Sequence, residues 1–286
     1  TGTPFADRIT LRVNPANANQ LQVDVNDDGM ADATFDLASF SAIDIRGRQG
    51  NDTIKLDTAA GAFTTAKPTT VHGGRGNDTL IGGSGNETFY GGRDNDTIDG
   101  NGGADTAFLG RGDDTFTWDP GDGSDVVEGG SGYDTHIFNG AGGAEDFAAT
   151  ANGHRVTFTR NLGNIVMDLN DIEALRVNAL GGEDQVVVND LSGTGMTRVD
   201  VDFAGALGGT TADGAADTVQ VIGTAGNDTI HASAKAGVVT VSGLAATVRV
   251  SHADADKDKL AIDALGGSNN ELVDAAVDAL IGVSLE

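Results

Sequence analysis

Between residues 73 and 137 one nine-residue phrase is written seven times. Five copies start at Gly73, Gly82, Gly91, Gly100 and Leu109 and carry an acid at the sixth position: Asp78, Glu87, Asp96, Asp105 and Asp114. Two looser copies follow, one centred on Asp125 behind the intruding Trp118-Asp-Pro120, the other reading Gly129-Gly-Ser-Gly-Tyr-Asp134-Thr. The first six residues of each copy demand backbone conformations that glycine adopts cheaply, and the last three alternate in direction like a short strand. A three-residue strand cannot bury its own apolar residue. Two copies must therefore make an 18-residue coil with facing strands, and coils must stack into a core. Leu80, Phe89, Ile98, Ala107, Phe116 and Val127 then point inward.

Stacking at the sheet spacing of about 4.8 Å lines the acids up on two edges. Asp78, Asp96, Asp114 and Asp134 share one edge; Glu87, Asp105 and Asp125 share the other. Ionised carboxylates at that spacing repel, and a cation between them relieves the repulsion. Calcium, with oxygen ligands at about 2.3–2.6 Å, spans such a gap, whereas octahedral magnesium at about 2.0–2.1 Å fits it poorly. Loop carbonyls complete the shell, with Gly73, Gly82, Gly91, Gly100 and Gly112 as the glycines placed to contribute. On this reading Asp96 serves two ions through its two oxygens, Asp78 serves one, and Glu87 is a weak ligand because its extra methylene overshoots. A metal-free turn array is the bland alternative, for which neutral Asn would serve as well as Asp.

The phrase resembles the hemolysin-type (RTX) nonapeptide GGxGxDxUx, a calcium-binding solenoid repeat. That resemblance implies a bacterial protein whose right-handed parallel β-roll holds several calcium ions and sits in a longer degenerate β-solenoid. It further implies an extracellular or cell-surface location, reached unfolded by type I secretion, with folding outside the cell.

The rest of the chain reads as all-β. Residues 1–57 alternate apolar and polar through Ile9-Thr-Leu-Arg-Val13, Leu21-Gln-Val-Asp-Val25 and Ala33-Thr-Phe-Asp-Leu37. Between the last two lies Asp24-Val-Asn26-Asp-Asp28-Gly-Met30-Ala-Asp32, the first nine positions of an EF-hand-type loop. Asp24, Asn26, Asp28, the Met30 carbonyl and Asp32 are its candidate calcium ligands, although Phe35 stands where the closing acid belongs. Small residues at 58–70 suggest a boundary, giving parts 1–65, 66–140 and 141–286. The last part reads as units of about 40 residues. Asp184, Asp228 and Asn269 are taken as equivalent loop ends, with Glu173, Asp217 and Asp258 as a second set, and Glu271–Leu280 as a short terminal helix. Metal binding at Asp52, Asp184, Asp228 and Asn269 is left open by the sequence.

Charge and composition narrow the function. Lys and Arg number 17 against 43 Asp and Glu, a net −26 that argues against nucleic acid and anionic membranes as partners. With no cysteine, disulfides and thiol chemistry are excluded. No apolar run approaches the ~18 residues of a membrane span. The five histidines share no metal-ligand spacing. Arg111-Gly-Asp113 and the Asn-x-Thr triplets at Asn51, Asn77, Asn86, Asn95 and Asn227 fall on loop positions that turns already require. The reading is calcium binding coupled to folding in a structural, non-enzymatic module. The alternatives are a polysaccharide-binding or polysaccharide-acting solenoid, or an adhesin stalk, with a surface glycan or surface protein as partner. A glycan enzyme should show clustered Arg, His and acid on adjacent coils with aromatic platforms, yet the chain has one Trp and two Tyr.

Overall fold

A computed structural model describes residues 1–285. The chain divides into two compact units, Thr1–Thr135 and His136–Glu286. The described residues contain no α-helix and two 3₁₀ turns, Leu37–Ser39 and Leu162–Asn164. Nearly everything else that is regular is strand.

In the first unit the nonapeptides distribute themselves alternately between two sheets. One sheet runs Thr115–Trp118, Thr97–Asp99, Thr79–Ile81, Thr53–Asp57, Arg8–Asn14, Asn17–Val25, Ala33–Asp36. The other runs Val126–Ser131, Thr106–Arg111, Glu87–Arg93, Thr69–Arg75, Ile43–Gln49. Pairing is parallel throughout the repeats, with Leu80 beside Ile98 and Phe89 beside Ala107. It turns antiparallel at Arg8–Asn14, Asn17–Val25 and Ala33–Asp36, which form a meander at one end of their sheet. The N-terminal strands thus share sheets with the repeats, Arg8–Asn14 pairing in parallel with Thr53–Asp57.

All six residues expected to point inward are fully buried, and Val71, Leu109 and Trp118 join them. Each large apolar side chain so buried contributes about 1.5–3 kcal/mol, which a three-residue strand obtains only by stacking. The Trp118 indole belongs to this core rather than to the loop, its Nε1–H donating to the Gly123 carbonyl at 2.7 Å. The small-residue connection is also anchored, because Phe63 is buried.

The second unit keeps two sheets and lengthens each coil with hairpins. Asp146–Asn152, Arg155–Arg160 and Ile165–Asn170 form one antiparallel meander, and Thr229–Lys235, Val238–Ser242 and Thr247–Ser251 another. Parallel pairing connects the coils, as where Val186 lies beside Val219 and Val219 beside Leu260. The hairpin between Lys235 and Val238 turns on Ala236 and Gly237, both at positive φ (53° and 80°), the backbone of a two-residue turn that follows strand twist. The expected helix over Glu271–Leu280 is not formed. Asn270–Val273 instead pairs in parallel with Thr229–Lys235, and the chain then turns through Val277 into Gly282–Leu285. Strand pairing in register satisfies more backbone here than one or two isolated helical turns would.

Candidate metal centre

The sixth residue of each repeat ends a loop and begins a strand, and this position sends its side chain along the edge of the stack. Asp52, Asp78, Glu87, Asp96, Asp105, Asp114, Asp125 and Asp134 are all buried, at 2% exposure or less. Six of them are tied to the next coil by their backbone amides. The N–H of Asp52 donates to Asp78 Oδ1 at 2.8 Å, that of Asp78 to Asp96 Oδ1 at 2.8 Å, that of Asp96 to Asp114 Oδ1 at 2.7 Å and that of Asp114 to Asp134 Oδ1 at 2.9 Å. On the opposite edge the amide of Glu87 donates to Asp105 Oδ1 at 2.6 Å and that of Asp105 to Asp125 Oδ1 at 2.8 Å. The two edges read from the sequence are therefore the two edges of the fold. The first also extends upstream, with Asp7 N–H donating to Asp52 Oδ1 at 2.8 Å.

These bonds change what each carboxylate can offer. Sequence spacing suggested one oxygen above and one below for Asp96; Oδ1 accepts the Asp78 amide, and Oδ2 is the oxygen left without a hydrogen bond. In Asp52, Asp78, Asp96, Asp105, Asp114 and Asp125 that second oxygen is buried without a hydrogen-bond partner. A buried carboxylate oxygen left so is costly. Glu87 differs in its anchor, as its length demands: Oε2 folds back onto its own loop and accepts from the Gly83 amide at 2.7 Å, while Oε1 is likewise buried and open.

The first glycine of the repeat makes room for the open oxygen. A Cβ at Gly91 would lie 2.7 Å from Asp96 Oδ2 and 2.5 Å from the Leu109 carbonyl oxygen of the next coil; one at Gly100 would lie 2.5 Å from Asp105 Oδ2. Gly73 stands in the same relation to Asp78 Oδ2 and the Gly91 carbonyl. Gly82 abuts the Gly100 carbonyl, and Gly112, at φ 142°, the Asp94 carbonyl, so these two serve close coil stacking. Among the described residues no three carboxylate or imidazole groups converge on one point. A cation here would meet fewer than three side-chain carboxylates, with backbone carbonyls for company, a donor set of oxygens alone.

Burial, then the neighbouring acids, raise the affinity of these groups for protons. Asp96 is pushed up to about 8 by burial and by Asp78, Asp114 and Asp94, and Asp105 to about 9 by burial and by Asp125, Glu87 and Asp122. Asp125 reaches about 7 and Asp78 about 6 from the same causes, burial first. Without a cation beside them, these groups are neutralised by taking up a proton.

A second ladder uses the fifth loop residue and runs the other way. The amide of Asn77 donates back to Asn51 Oδ1, that of Asn95 to Asn77 Oδ1 and that of Asp113 to Asn95 Oδ1, each at 3.0 Å. The Asn-x-Thr triplets are explained by this, since the amide oxygen is occupied in holding coils together.

The second unit carries its own ladders, of which the sequence reading had the Asp217–Asp258 and Asp228–Asn269 steps. Glu145 N–H donates to Asp184 Oδ1 at 2.9 Å, Asp184 to Asp217 Oδ1 at 2.8 Å and Asp217 to Asp258 Oδ1 at 3.0 Å. Asp228 pairs separately with Asn269, at 2.9 Å. The equivalence of Asp184 with Asp228 is thus corrected, as is that of Glu173 with Asp217; hairpins of unequal length make the steps 39, 33 and 41 residues. Asp184 Oδ2 is buried and unpartnered, with the carboxyl pushed up to about 8 by burial, then by Asp217, Glu145 and Asp213. Three ladder-ending acids are satisfied by their own chain: Asp7 by the Thr3 amide, Asp258 by the Asp254 amide, and Glu145 by Arg160 and the Ala141 amide.

The Asp24–Asp32 loop is arranged differently. Arg12 Nη1 lies 2.9 Å from the buried Asp24 Oδ2, and its Nη2 donates to the Gly29 carbonyl at 2.9 Å. Asp32 Oδ2 accepts from the Val25 amide and Asp28 Oδ1 from the Met30 amide, while the Met30 side chain is exposed. Asp24 Oδ1 stays buried and open. An internal guanidinium therefore occupies part of the space that the EF-hand spacing assigns to an ion.

One further polar cleft, of about 240 Å³, lies in the second unit, lined by Arg176, Asp200, Asp202, Val238, Arg249, Ser251 and His252. It brings Arg, His and acid onto adjacent strands, but they engage one another: Arg176 with Asp202 at 3.2 Å, His252 with Asp202 at 2.6 Å, Arg249 with Asp200 at 3.5 Å. No Trp or Tyr lines it.

A family model described as the RTX calcium-binding nonapeptide repeat matches four stretches, residues 68–98, 81–116, 121–135 and 211–234. No curated protein matches the chain. Among solved structures, the extracellular lipase LipA from Serratia marcescens is similar at 14% identity and a TM-score of 0.19, over 73% of this chain. The chain spans 43% of that lipase's length. Three of the four matched stretches fall where the ladders and glycine cradles of the roll stand out on geometry, and the chain carries RTX calcium-binding nonapeptide repeats in a β-roll.

Proposed function

We propose that the roll binds several calcium ions through Asp78, Asp96, Asp105, Asp114, Asp125 and Asp134, with backbone carbonyls at the glycine positions, and that binding drives folding. The observation that carries this is the row of buried, unpartnered Oδ2 atoms of Asp78, Asp96, Asp105, Asp114 and Asp125, the first three of them in cradles opened by Gly73, Gly91 and Gly100. An isolated buried anion is not sustained, and the cation supplies the charge that the 17 Lys and Arg do not. Before calcium arrives the acids repel one another and the chain stays expanded; afterwards binding energy is folding energy. Glu87, tied to Gly83, is a marginal ligand. At Asp24–Asp32 an ion would share Asp24 with Arg12, so binding there is weaker than in the roll.

This chemistry suits a module of a secreted or cell-surface protein, exported unfolded where calcium is scarce and folded where it is millimolar. We read residues 1–65 as its N-terminal part, 66–140 as the roll and 141–286 as a companion solenoid, with no catalytic role. Calorimetric titration of the metal-free full chain, with circular dichroism on the same sample, tests the proposal. The expected result is uptake of several calcium ions coincident with gain of β signal. Heat of binding without any structural change would remove the coupling to folding.

A further inference from the structure

The strands Ile43–Gln49, Thr69–Arg75, Glu87–Arg93, Thr106–Arg111 and Val126–Ser131 pair in parallel and in register at their C-terminal ends, so equal positions form columns. One column reads Gln49, Arg75, Arg93, Arg111, Ser131. Neighbouring strands are about 4.8 Å apart. Three guanidinium groups thus leave the sheet at that interval, flanked by neutral residues. All three arginines are exposed. Among the described residues the ion-paired arginines are others, Arg12, Arg46, Arg155, Arg160, Arg176, Arg198 and Arg249. A chain with 43 acids for 17 bases could pair every base, yet these three are aligned with one another, where like charges repel.

A second column, three residues earlier on the same strands, reads Arg46, His72, Tyr90, Phe108, Glu128. Its middle rings stack nearly parallel, His72 on Tyr90 at 4.8 Å and Tyr90 on Phe108 at 5.0 Å. Tyr90 and Phe108 remain 39% and 38% exposed, so a continuous aromatic edge faces solvent. Between the columns stand Gly74, Gly92 and Gly110, also in register. A Cβ on Gly92 or Gly110 would overlap the carbonyl of the preceding coil, so this strip is held bare. The face is a strip without side chains, edged by aromatic rings on one side and by unpaired arginines on the other.

We propose that this face binds a linear acidic polysaccharide lying along the stacking axis. A row of guanidinium forks repeating at the strand spacing runs beside such a chain, and the long arginine side chains reach those carboxylates that turn toward them. The bare strip admits the sugar rings, and the aromatic edges cover their apolar C–H groups. A membrane surface is disfavoured, because it presents charge over a plane while this chain offers one row against a net charge of −26. The inference rests on the calcium reading, since the columns exist only in the folded roll.

The test is calorimetric titration of the full chain, held in saturating calcium, with a galacturonate hexamer, a neutral maltohexaose and vesicles of anionic lipid. Circular dichroism on each sample reports folding separately. The hexamer is expected to bind, weakening with salt, and maltohexaose and vesicles are not. Arg93→Gln should weaken hexamer binding about tenfold, as expected for losing one charge-assisted contact. The triple variant Arg75→Gln, Arg93→Gln, Arg111→Gln should abolish it with an unchanged spectrum. A folded wild type that ignores the hexamer, or a folded triple variant that binds it undiminished, overturns the proposal; vesicle binding in place of hexamer binding overturns it in favour of a lipid surface. A chain that calcium does not fold fails at the earlier reading instead, and circular dichroism shows that directly. If the triple variant misfolds, Arg93→Gln alone decides.

Discussion

Asp96 donates its backbone N–H to Oδ1 of Asp114, eighteen residues later, across 2.7 Å. The same carboxylate keeps Oδ2 buried and open. One side chain therefore divides its work: one oxygen holds the coils together, the other waits for positive charge.

Substitutions can separate these two roles. Asp96→Asn keeps an oxygen for the Asp78 amide and replaces the other with NH₂, so the metal-free state should be unharmed or slightly improved while one calcium is lost. Asp96→Ala leaves the Asp78 amide without an acceptor as well, at a cost of about 1–3 kcal/mol. Native mass spectrometry for stoichiometry and calcium-dependent melting for stability check this. Because each aspartate has one open oxygen, Asp78→Asn should lose as much calcium as Asp96→Asn. A loss from Asp96→Asn twice as large would restore the two-ion arrangement that spacing alone suggests.

Removing calcium with a chelator should turn residues 73–137 to coil, and millimolar calcium should restore the β signal. Magnesium at equal concentration should restore much less, being smaller and reluctant to give up its octahedral water. Circular dichroism of a sample shown to be metal-free decides, and an unchanged spectrum would sink the coupling.

Acid should partly replace calcium. Asp96, Asp105 and Asp125 hold protons up to about 8, 9 and 7 when folded, against about 3.9 for an unfolded Asp. Raised folded values mean the metal-free fold is favoured below the unfolded value and loses that help as pH rises through about 7 to 9. A metal-free sample should therefore show more β structure at pH 5 than at pH 9, with the difference shrinking when calcium is present. A metal-free β signal that grows with pH would contradict the burial of these groups.

Glycine at the head of the repeat can be tested without touching charge. Gly91→Ala sets a methyl 2.7 Å from Asp96 Oδ2 and 2.5 Å from the Leu109 carbonyl. Calcium affinity should fall about tenfold or more, a loss of ~1.4 kcal/mol. Gly142→Ala, where a Cβ meets nothing within 4 Å, should leave it alone. Calorimetry of both variants settles whether the cradle matters.

Much of this was legible in the sequence, because the repeat is short and regular. Its period set which residues face inward and which acids share an edge, and Leu80, Phe89 and Asp96 stand where counting puts them. What counting cannot supply is the partner of each oxygen. The amide bond to Oδ1 depends on the rise between coils, which no single repeat encodes. Asp217 and Asp258 were read as equivalent, but Glu145 and Asp184 were missed as members of their ladder because hairpins intervene, and a key turn is made by Ala236 and Gly237 where Asn or Asp would have announced it. Arg12 was missed for a related reason: it sits on a neighbouring strand, seventeen residues from the Gly29 carbonyl it binds.

Alternation of the repeats between two sheets also governs how such a gene can change length. Deleting one nonapeptide would leave every later acid half a turn out of phase, with Asp96's successors arriving on the edge that belongs to Asp105. Deleting a pair removes one coil and lets Asp78 meet Asp114 as it now meets Asp96, since both are one 18-residue step apart. Tracts of this kind should therefore expand and contract by even numbers of copies, a parity that recombination must respect for the protein to keep folding.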